Sequence, residues 1–420
     1  MSREFSMVTE IKTDSKKKRR TRTASKKKAL LERQAGEIMS KVIFTLAASS
    51  TIRQAFDKMN RYRVNVLPLI SQDRVIGAVS RQTVDGALSH GLGKARVQDV
   101  ASSEVGVVLP ETPLMEVRRV LLQSNLGFVL VGKNRKNFQG IISRMLLFQH
   151  LPEAKVGESR RRIRLESMME RKISPRILTI LHAVRPLAET MELRPYLVGG
   201  LVRDLLLGRE NTDVDLVVEG DGILFARELQ KALGGTVRTH ENFGTAVLVL
   251  PDGFKVDLAS SRTEFYAKPG ALPTVQQGDI HHDLYRRDFT INAMAVELHP
   301  KHYGRLVDRF GGNRDLDAKT IRVLHSLSFI EDPTRAYRAV RFANRLNFKI
   351  SPETSTYIRV GVRKKMFRHL SGDRLLREVI FILMENRPLG SLRMLSQFGL
   401  LGVLHPSLKL TGGRLGLLNR

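Results

Sequence analysis

The sequence has no cysteine and no tryptophan in 420 residues. Without thiols there are no disulfides, no thiolate zinc sites, no iron–sulfur clusters and no cysteine nucleophile. Metal chemistry must then use oxygen or imidazole ligands, which makes hard cations such as magnesium the expected ones. Long apolar runs are missing too. No stretch approaches ~18 consecutive apolar residues and the amino terminus lacks an apolar core of the signal-peptide kind, so no membrane contact and a cytoplasmic location are expected. Acidic residues are scarce relative to basic ones: 42 Asp and Glu face 70 Lys and Arg, a formal net charge of +28. That excess points to a polyanionic partner. What is present suffices for folding, since 42% of the residues are hydrophobic. The length predicts about two to four domains and excludes disorder throughout.

The first 34 residues concentrate twelve bases (Arg3, Lys12, Lys16, Lys17, Lys18, Arg19, Arg20, Arg22, Lys26, Lys27, Lys28 and Arg33) against Glu4, Glu10, Asp14 and Glu32. Residues 1–34 therefore read as a basic arm, disordered until it meets negative charge. Three uses stay open: a solubilising tail, an auxiliary contact to RNA phosphates, and a nuclear signal.

Residues 35–151 look like one supersecondary unit written twice. Val75-Ile76-Gly77-Ala78-Val79-Ser80-Arg81 recurs 63 residues later as Phe138-Gln139-Gly140-Ile141-Ile142-Ser143-Arg144. Such repetition implies that each copy buries its apolar face against the other. Each copy predicts an amphipathic helix (Thr51 to Met59; Leu114 to Leu122), a β-rich run (Val64 to Ile70; Phe128 to Val131), a turn and another strand. The pattern resembles a pair of CBS motifs, a module that often binds adenosine nucleotides between its halves. Such pairs usually place an acid three positions after the strand-end Ser or Thr to hold the ribose. Thr83 and Leu146 occupy those positions here, which favours a structural or interaction role over ligand sensing.

From 152 to 192 the sequence predicts a basic helical linker (Arg160, Arg161, Arg162, Arg164, Arg171, Lys172) closing near Pro186. Beyond it, Tyr196 to Val198 has the composition of a buried strand. Gly199-Gly200 reads as a tight turn and Leu201 to Leu207 as a helix stopping at Gly208. Two glycines between strand and helix let the backbone approach a phosphate, whose charge the helix N-terminus favours, and Arg203 adds a fixed cation. Plain packing can use the same turn. Asp213-Val214-Asp215, opening the apolar run Leu216 to Val218, strengthens the phosphate reading. Residues two apart on a strand face the same side, so both carboxylates address one spot and repel unless a cation lies between them. A divalent metal is the expected partner, and a solvated turn the alternative.

Ala246 to Val249 and Phe254 to Leu258 flank Pro251-Asp252-Gly253, a hairpin pattern. Asp257 lies inside its second strand, where burying an acid without a partner would be costly, and is the best third carboxylate. His281-His282 reads as a loop feature, because adjacent histidines on extended chain point in different directions. Arg286-Arg287-Asp288-Phe289-Thr290-Ile291-Asn292-Ala293 follows, and then Glu331-Asp332-Pro333-Thr334-Arg335. Pro333 is placed to start a helix and Asp332 to cap it. Helical spacing gathers Arg335, Arg338, Arg341 and Arg345 on one side, with Tyr337, Val340 and Phe342 supplying packing. Behind a metal-binding pattern, that face reads as a nucleotide pocket.

Gly199-Gly200-Leu201-Val202-Arg203-Asp204, Asp213-Val214-Asp215, the Arg286-Arg287-Asp288 segment and Glu331-Asp332-Pro333-Thr334-Arg335 resemble, in order, the motifs of the class II tRNA nucleotidyltransferase and bacterial poly(A) polymerase family. The resemblance covers roughly residues 173–410 and points to its CBS-pair-bearing branch, the A-adding or CCA-adding type. It implies a multidomain α/β plus all-α chain: a CBS-pair module, a polymerase-β-type nucleotidyltransferase head over 193–318, and a helical neck with a shortened body over 319–420. Some relatives place a DHH-type phosphoesterase domain before the repeats, which is not expected here.

The resemblance assigns Asp213 and Asp215 to Mg2+ and Asp257 to the third carboxylate that helps activate the attacking hydroxyl. It gives Gly199, Gly200 and Arg203 to the triphosphate and Arg287 to the ribose and phosphates. Asp332 and Arg335 present hydrogen-bonding edges to the base, Glu331 orients Arg335, and Arg338 and Arg341 complete the pocket. An Asp accepting from an exocyclic amine and an Arg donating to ring acceptors is sound base-edge chemistry. The implied reaction is template-independent addition of A, or CCA, from ATP and possibly CTP to a tRNA 3′ end, by a two-metal mechanism with pyrophosphate release. Alternatives are a poly(A) polymerase on other RNA 3′ ends and a catalytically silent RNA-binding or adenylate-sensing regulator, against which the intact aspartates argue. With a short body, RNA is expected to be held by the basic arm, by Arg359, Arg363, Lys364, Lys365 and Arg368, or by a partner subunit. Homo-oligomerisation through the CBS pair is left open.

Overall fold

The computed structural model describes residues 33–123, 126–150, 163–265, 274–365, 367 and 372–408. The basic arm, Arg160 to Arg162 and Arg368 thus lie largely or wholly outside the described residues. The described residues up to 84 and from 94 to 150 form one compact unit, and residues 85–93 with the described residues from 163 onward form a second. No helix of the described residues is long and apolar enough to cross a membrane.

The first unit contains the repeat. In one copy β1 (Leu46–Ala47) pairs parallel with β2 (Val66–Ser71), which pairs antiparallel with β3 (Arg74–Ser80). In the other, β4 (Gly106–Val108), β5 (Phe128–Gly132) and β6 (Phe138–Ser143) repeat the same order and directions. Thr51 caps the helix Ile52–Tyr62 reciprocally: its hydroxyl accepts from Gln54 N at 3.2 Å and its N–H donates to Gln54 Oε1 at 2.8 Å. Val75 and Ala78 of one copy share a core with Phe128 and Leu130 of the other, as the repetition requires. Ser80 Oγ accepts from Thr83 N and Ser143 Oγ from Leu146 N, both at 3.2 Å. In both copies the strand-end serine therefore serves the first turn of the next helix.

The second unit is built on a seven-stranded mixed sheet in the order β15-β14-β7-β8-β11-β10-β9. The strands are β7 (Arg194–Val198), β8 (Val214–Glu219), β9 (Thr236–His240), β10 (Thr245–Val249) and β11 (Lys255–Ser260). A separate hairpin of β12 (Arg262–Phe265) and β13 (Thr274–Gln277) precedes β14 (Met294–Glu297) and β15 (Arg305–Asp308). β10 and β11 form the expected antiparallel hairpin, and β11 lies parallel to β8.

The segment expected as a linker is part of this unit. Its described residues form the helices Glu166–Lys172 and Pro175–Thr190, and Ile177, Ile180, Leu181 and Val184, at helical spacing, join the main core. The second helix does not close near Pro186. It runs through that proline to Thr190, because the apolar stripe on either side is buried. The same core continues into the neck, where Tyr337, Val340 and Ala343 of the helix Thr334–Leu346 are buried.

Candidate active site

Strand β7 ends at Val198, and the chain turns through Gly199 at φ +73° into the helix Gly200–Leu207. A side chain at Gly199 would be strained by that φ and crowded as well: a Cβ there would lie 3.1 Å from Arg287 Nη1 and 3.3 Å from Asp215 Oδ2. The turn, the arginine and the aspartate therefore border one gap. Asp213 immediately precedes β8 and is exposed, while Asp215 is the second residue of the strand and half-buried. Asp257 is the register partner of Asp215 on the parallel neighbour β11. Two carboxylates on neighbouring strands and a third just before β8 thus gather at one end of the sheet. Asp257 is exposed, so the burial expected for it does not arise; it reaches the open side of the sheet through strand register.

Two of the three acids, Asp215 and Asp257, hold their protons more tightly than a free carboxyl. Desolvation pushes Asp215 up to about 6; Arg287 opposes the shift, and Asp257, Asp213 and Asp283 add to it. Asp257 is raised as well, by desolvation and by the charge of Asp213. Carboxylate oxygens that repel one another are the donor set of a hard divalent cation. Among the described residues no three or more metal-ligating side chains close round one point. A cation held by these carboxylates would have to complete its coordination with water or substrate oxygens.

The neck supplies the second half of the site. Asp332 Oδ1 accepts from Thr334 N at 3.1 Å and Thr334 Oγ1 at 2.6 Å, and Arg374 Nη2 lies 3.0 Å away. Pro333 is the cap position, so the helix starts one residue later than expected. Arg335 is buried and donates from Nη1 to Ser328 Oγ at 3.2 Å and from Nη2 to the Arg286 carbonyl at 2.7 Å. Glu331 Oε2 stands 3.9 Å from Arg335 Nη1 and closer, at 3.3 Å, to His325 Nε2.

Comparison with known proteins converges on these segments. The family signature "Poly A polymerase head domain" matches residues 195–322, "CBS domain" matches 35–90 and 97–153, and "Probable RNA and SrmB- binding site of polymerase A" matches 347–410. The chain is 41% identical over 399 residues to an A-adding tRNA nucleotidyltransferase of Geobacter sulfurreducens, covering 92% of this chain and 45% of the relative.

The chain carries the head domain of the poly(A) polymerase family.

A second relative, the A-adding tRNA nucleotidyltransferase of Halalkalibacterium halodurans, is 41% identical over 230 residues, 54% of each chain. The chain thus spans about half the length of these curated relatives. Among solved structures, a CCA-adding enzyme in apo form II is 40% identical with a TM-score of 0.58, covering 60% of this chain and 59% of that one. A Thermotoga maritima CCA-adding enzyme complexed with tRNA is 39% identical with a TM-score of 0.54, over 60% of this chain and 57% of that one.

Three family arginines sit differently from expectation. Arg203 is turned inward, not toward phosphate: Nε and Nη2 donate to Asp204 at 2.9 and 2.6 Å, and Nη1 donates to Asn292 Oδ1 at 2.8 Å. Only 4% exposed, it needs that partner, because a lone buried cation is costly. Asp204 also accepts from Asn211 Nδ2 at 2.7 Å, and Asn211 Oδ1 accepts from Asp213 N at 2.8 Å. The Arg203–Asp204 pair therefore acts on the site indirectly, by fixing the loop that carries Asp213. Arg338 donates to Asp288 Oδ2 at 2.9 and 2.5 Å, and Glu378 lies between Arg338 and Arg341 at 3.6 and 3.2 Å. These two arginines, on one face of the helix Thr334–Leu346, are tied to carboxylates from two other segments. A Cβ at Gly200 would meet Asn211 Nδ2 at 3.3 Å, so the turn passes close to the loop that leads to Asp213.

His281 and His282 lie in the short helix Ile280–Tyr285 and not in a loop, because Asp279 caps it, accepting from His282 N at 2.9 Å. His282 Nδ1 is 2.7 Å from the same Asp279 oxygen, and Arg309 donates to His281 Nε2 at 2.8 Å. Arg359, Arg363, Lys364 and Lys365 are exposed within the matched RNA-binding segment. Asp283, Asn211 and Glu378 were not legible as site residues. For Asp283 a signal existed: it precedes Arg286 and Arg287 by three and four residues, the helical ion-pair spacing.

Proposed function

We propose that this chain is a template-independent nucleotidyltransferase that adds A from ATP to the 3′ end of tRNA with release of pyrophosphate. The observation that carries the reading is the gap shared by the Gly199 turn, Arg287 and the paired Asp215 and Asp257, with Asp332 and Arg335 held on the adjoining neck. The main chain at Gly199-Gly200 and Arg287 Nη1 receive the triphosphate. Asp332 and Arg335 offer an acceptor and donors to the base edge, replacing a template. Asp257, exposed on β11, accepts the proton of the RNA 3′ hydroxyl. In-line attack of that oxygen on the α-phosphate forms the new ester bond as the bond to pyrophosphate breaks.

Asp213 and Asp215 would hold magnesium, which when bound lowers the pKa of the hydroxyl and offsets the charge of the leaving group. Arg359, Arg363, Lys364 and Lys365 offer phosphate contacts to the RNA. The A-adding names of the Geobacter and Halalkalibacterium relatives support single-A addition over CC or CCA addition.

The deciding experiment incubates tRNAs ending before CCA and after CC, and an unstructured RNA, each with a single labelled nucleotide. One A on the tRNA ending in CC is the expected product. CTP incorporation on the shorter tRNA would establish CC or CCA addition. Long A tracts on unstructured RNA would establish a poly(A) polymerase.

A further inference from the structure

We propose that Asp283 is a positioning residue that holds the phosphate-facing and base-facing arginines in one register, a role that rests on the nucleotide-transfer reading above. Asp283 is fully buried in the helix Ile280–Tyr285. Its Oδ1 accepts from Arg286 Nε and Nη2 at 3.0 and 2.6 Å, and its Oδ2 accepts from Arg287 Nε and Nη2 at 3.2 and 3.0 Å. Each oxygen thus grips one guanidinium by the same edge.

The grip has two consequences. Held at Nε and Nη2, Arg287 presents Nη1 to the gap, where a Cβ on Gly199 would meet it at 3.1 Å beside Asp215 Oδ2 at 3.3 Å. Arg286 is fixed by the same carboxylate, and its carbonyl accepts from Arg335 Nη2 at 2.7 Å. One buried charge therefore sets both the phosphate-side contact and the seat of the base-reading arginine. A buried ion triad is a poor source of stability, because apolar side chains of similar volume often do as well. What apolar side chains cannot do is orient two planar forks, which a carboxylate does through paired, charge-assisted hydrogen bonds.

The test uses the full chain, a tRNA ending in CC, and ATP, CTP and GTP. Asp283→Asn and Asp283→Glu are followed by steady-state kinetics, equilibrium dialysis of labelled ATP and thermal melting. In folded Asp283→Asn the KM and Kd for ATP are expected to rise about tenfold, with preference for ATP over CTP and GTP reduced and kcat less affected. A residue that served only folding would lower the active fraction, and so kcat, at unchanged KM and unchanged preference. Asp283→Glu keeps the charge but displaces both forks, and the same loss is expected. Wild-type KM and preference in either folded variant overturn the proposal. Should neither variant melt cooperatively, Arg287→Ala, Arg335→Ala and the double variant decide: non-additive effects on ATP binding support a common anchor, and additive ones overturn it. A wild-type chain that transfers no nucleotide overturns the functional reading itself. Transfer by the wild type with unchanged binding in a folded variant overturns only the role of Asp283.

Discussion

Asp215 on β8 and Asp257 on β11 are direct register partners across two parallel strands. Parallel pairing places both side chains on the same face, so the two acids cannot turn away from each other without breaking the ladder. Their juxtaposition is built into the sheet; desolvation is what chiefly raises the proton affinity of both, with the charge of Asp257 adding to the shift of Asp215 and the charge of Asp213 to that of Asp257.

Replacing Asp213 or Asp215 with Ala should lower nucleotide incorporation by at least about two to three orders of magnitude, because each removes charge stabilisation that matters in the transition state. Asp213 is exposed and Asp215 faces the gap, so the far-ultraviolet spectrum and melting transition should survive. Incorporation of labelled ATP by each purified variant checks this. Near-wild-type turnover would remove the aspartates from the chemistry.

The raised Asp215 also predicts an inverted pH dependence of stability. A carboxyl near 6 in the folded chain and near 4 in the unfolded one binds more protons when folded between those values, so ionising it costs stability as pH rises through that window. In chelator, wild type should lose about 1–2 kcal/mol more than Asp215→Asn between pH 4.5 and 7, the half-buried position keeping the effect modest. Urea titrations at several pH values measure the difference. Asp283 and Asp288 run the other way: desolvation raises them, but Arg287 and Arg286, and Arg338 with Asn292, override it and hold both below the usual range. Their contribution is present above pH 4 and lost on acidification below it.

How much of this could be read from sequence depends on the distance over which each residue finds its partner. Asp213 and Asp215 were legible because a strand has a period of two. Asp257 was legible as a carboxylate, but its exposure was not, since that depends on which side of β11 the sheet leaves open. Arg203 reads as a phosphate ligand until its inward partners are seen, and one of them, Asn292, is 89 residues away. Pro186 reads as a helix stop because a local rule carries no information about the core that holds the helix on both sides.

Asp288 bridges head and neck through Arg338, so Asp288→Asn should loosen that junction. Breaking a fully buried pair costs about 3–5 kcal/mol, and the partial exposure of Arg338 brings the expected loss to about 2 kcal/mol. Urea unfolding should show a lowered midpoint at an unchanged slope. A variant as stable as wild type would mean that the pair contributes orientation alone.

Residues 1–34 carry twelve of the cations that make the chain so basic, in a segment poor in large apolar residues. Their most productive use is contact with phosphate away from the reacting atoms, because charge without packing gives affinity and not geometry. Deleting the arm should weaken RNA binding and flatten its salt dependence by about 0.7–0.9 in log–log slope for each phosphate the arm had neutralised. Turnover at saturating RNA should hardly change, since the aspartates and Arg287 lie elsewhere in the chain. Binding isotherms for intact and truncated protein at several salt concentrations decide the matter. Equal slopes would make the arm a solubilising tail and leave the RNA to Arg359, Arg363, Lys364 and Lys365, whose charge-reversed variants should then carry the salt dependence instead.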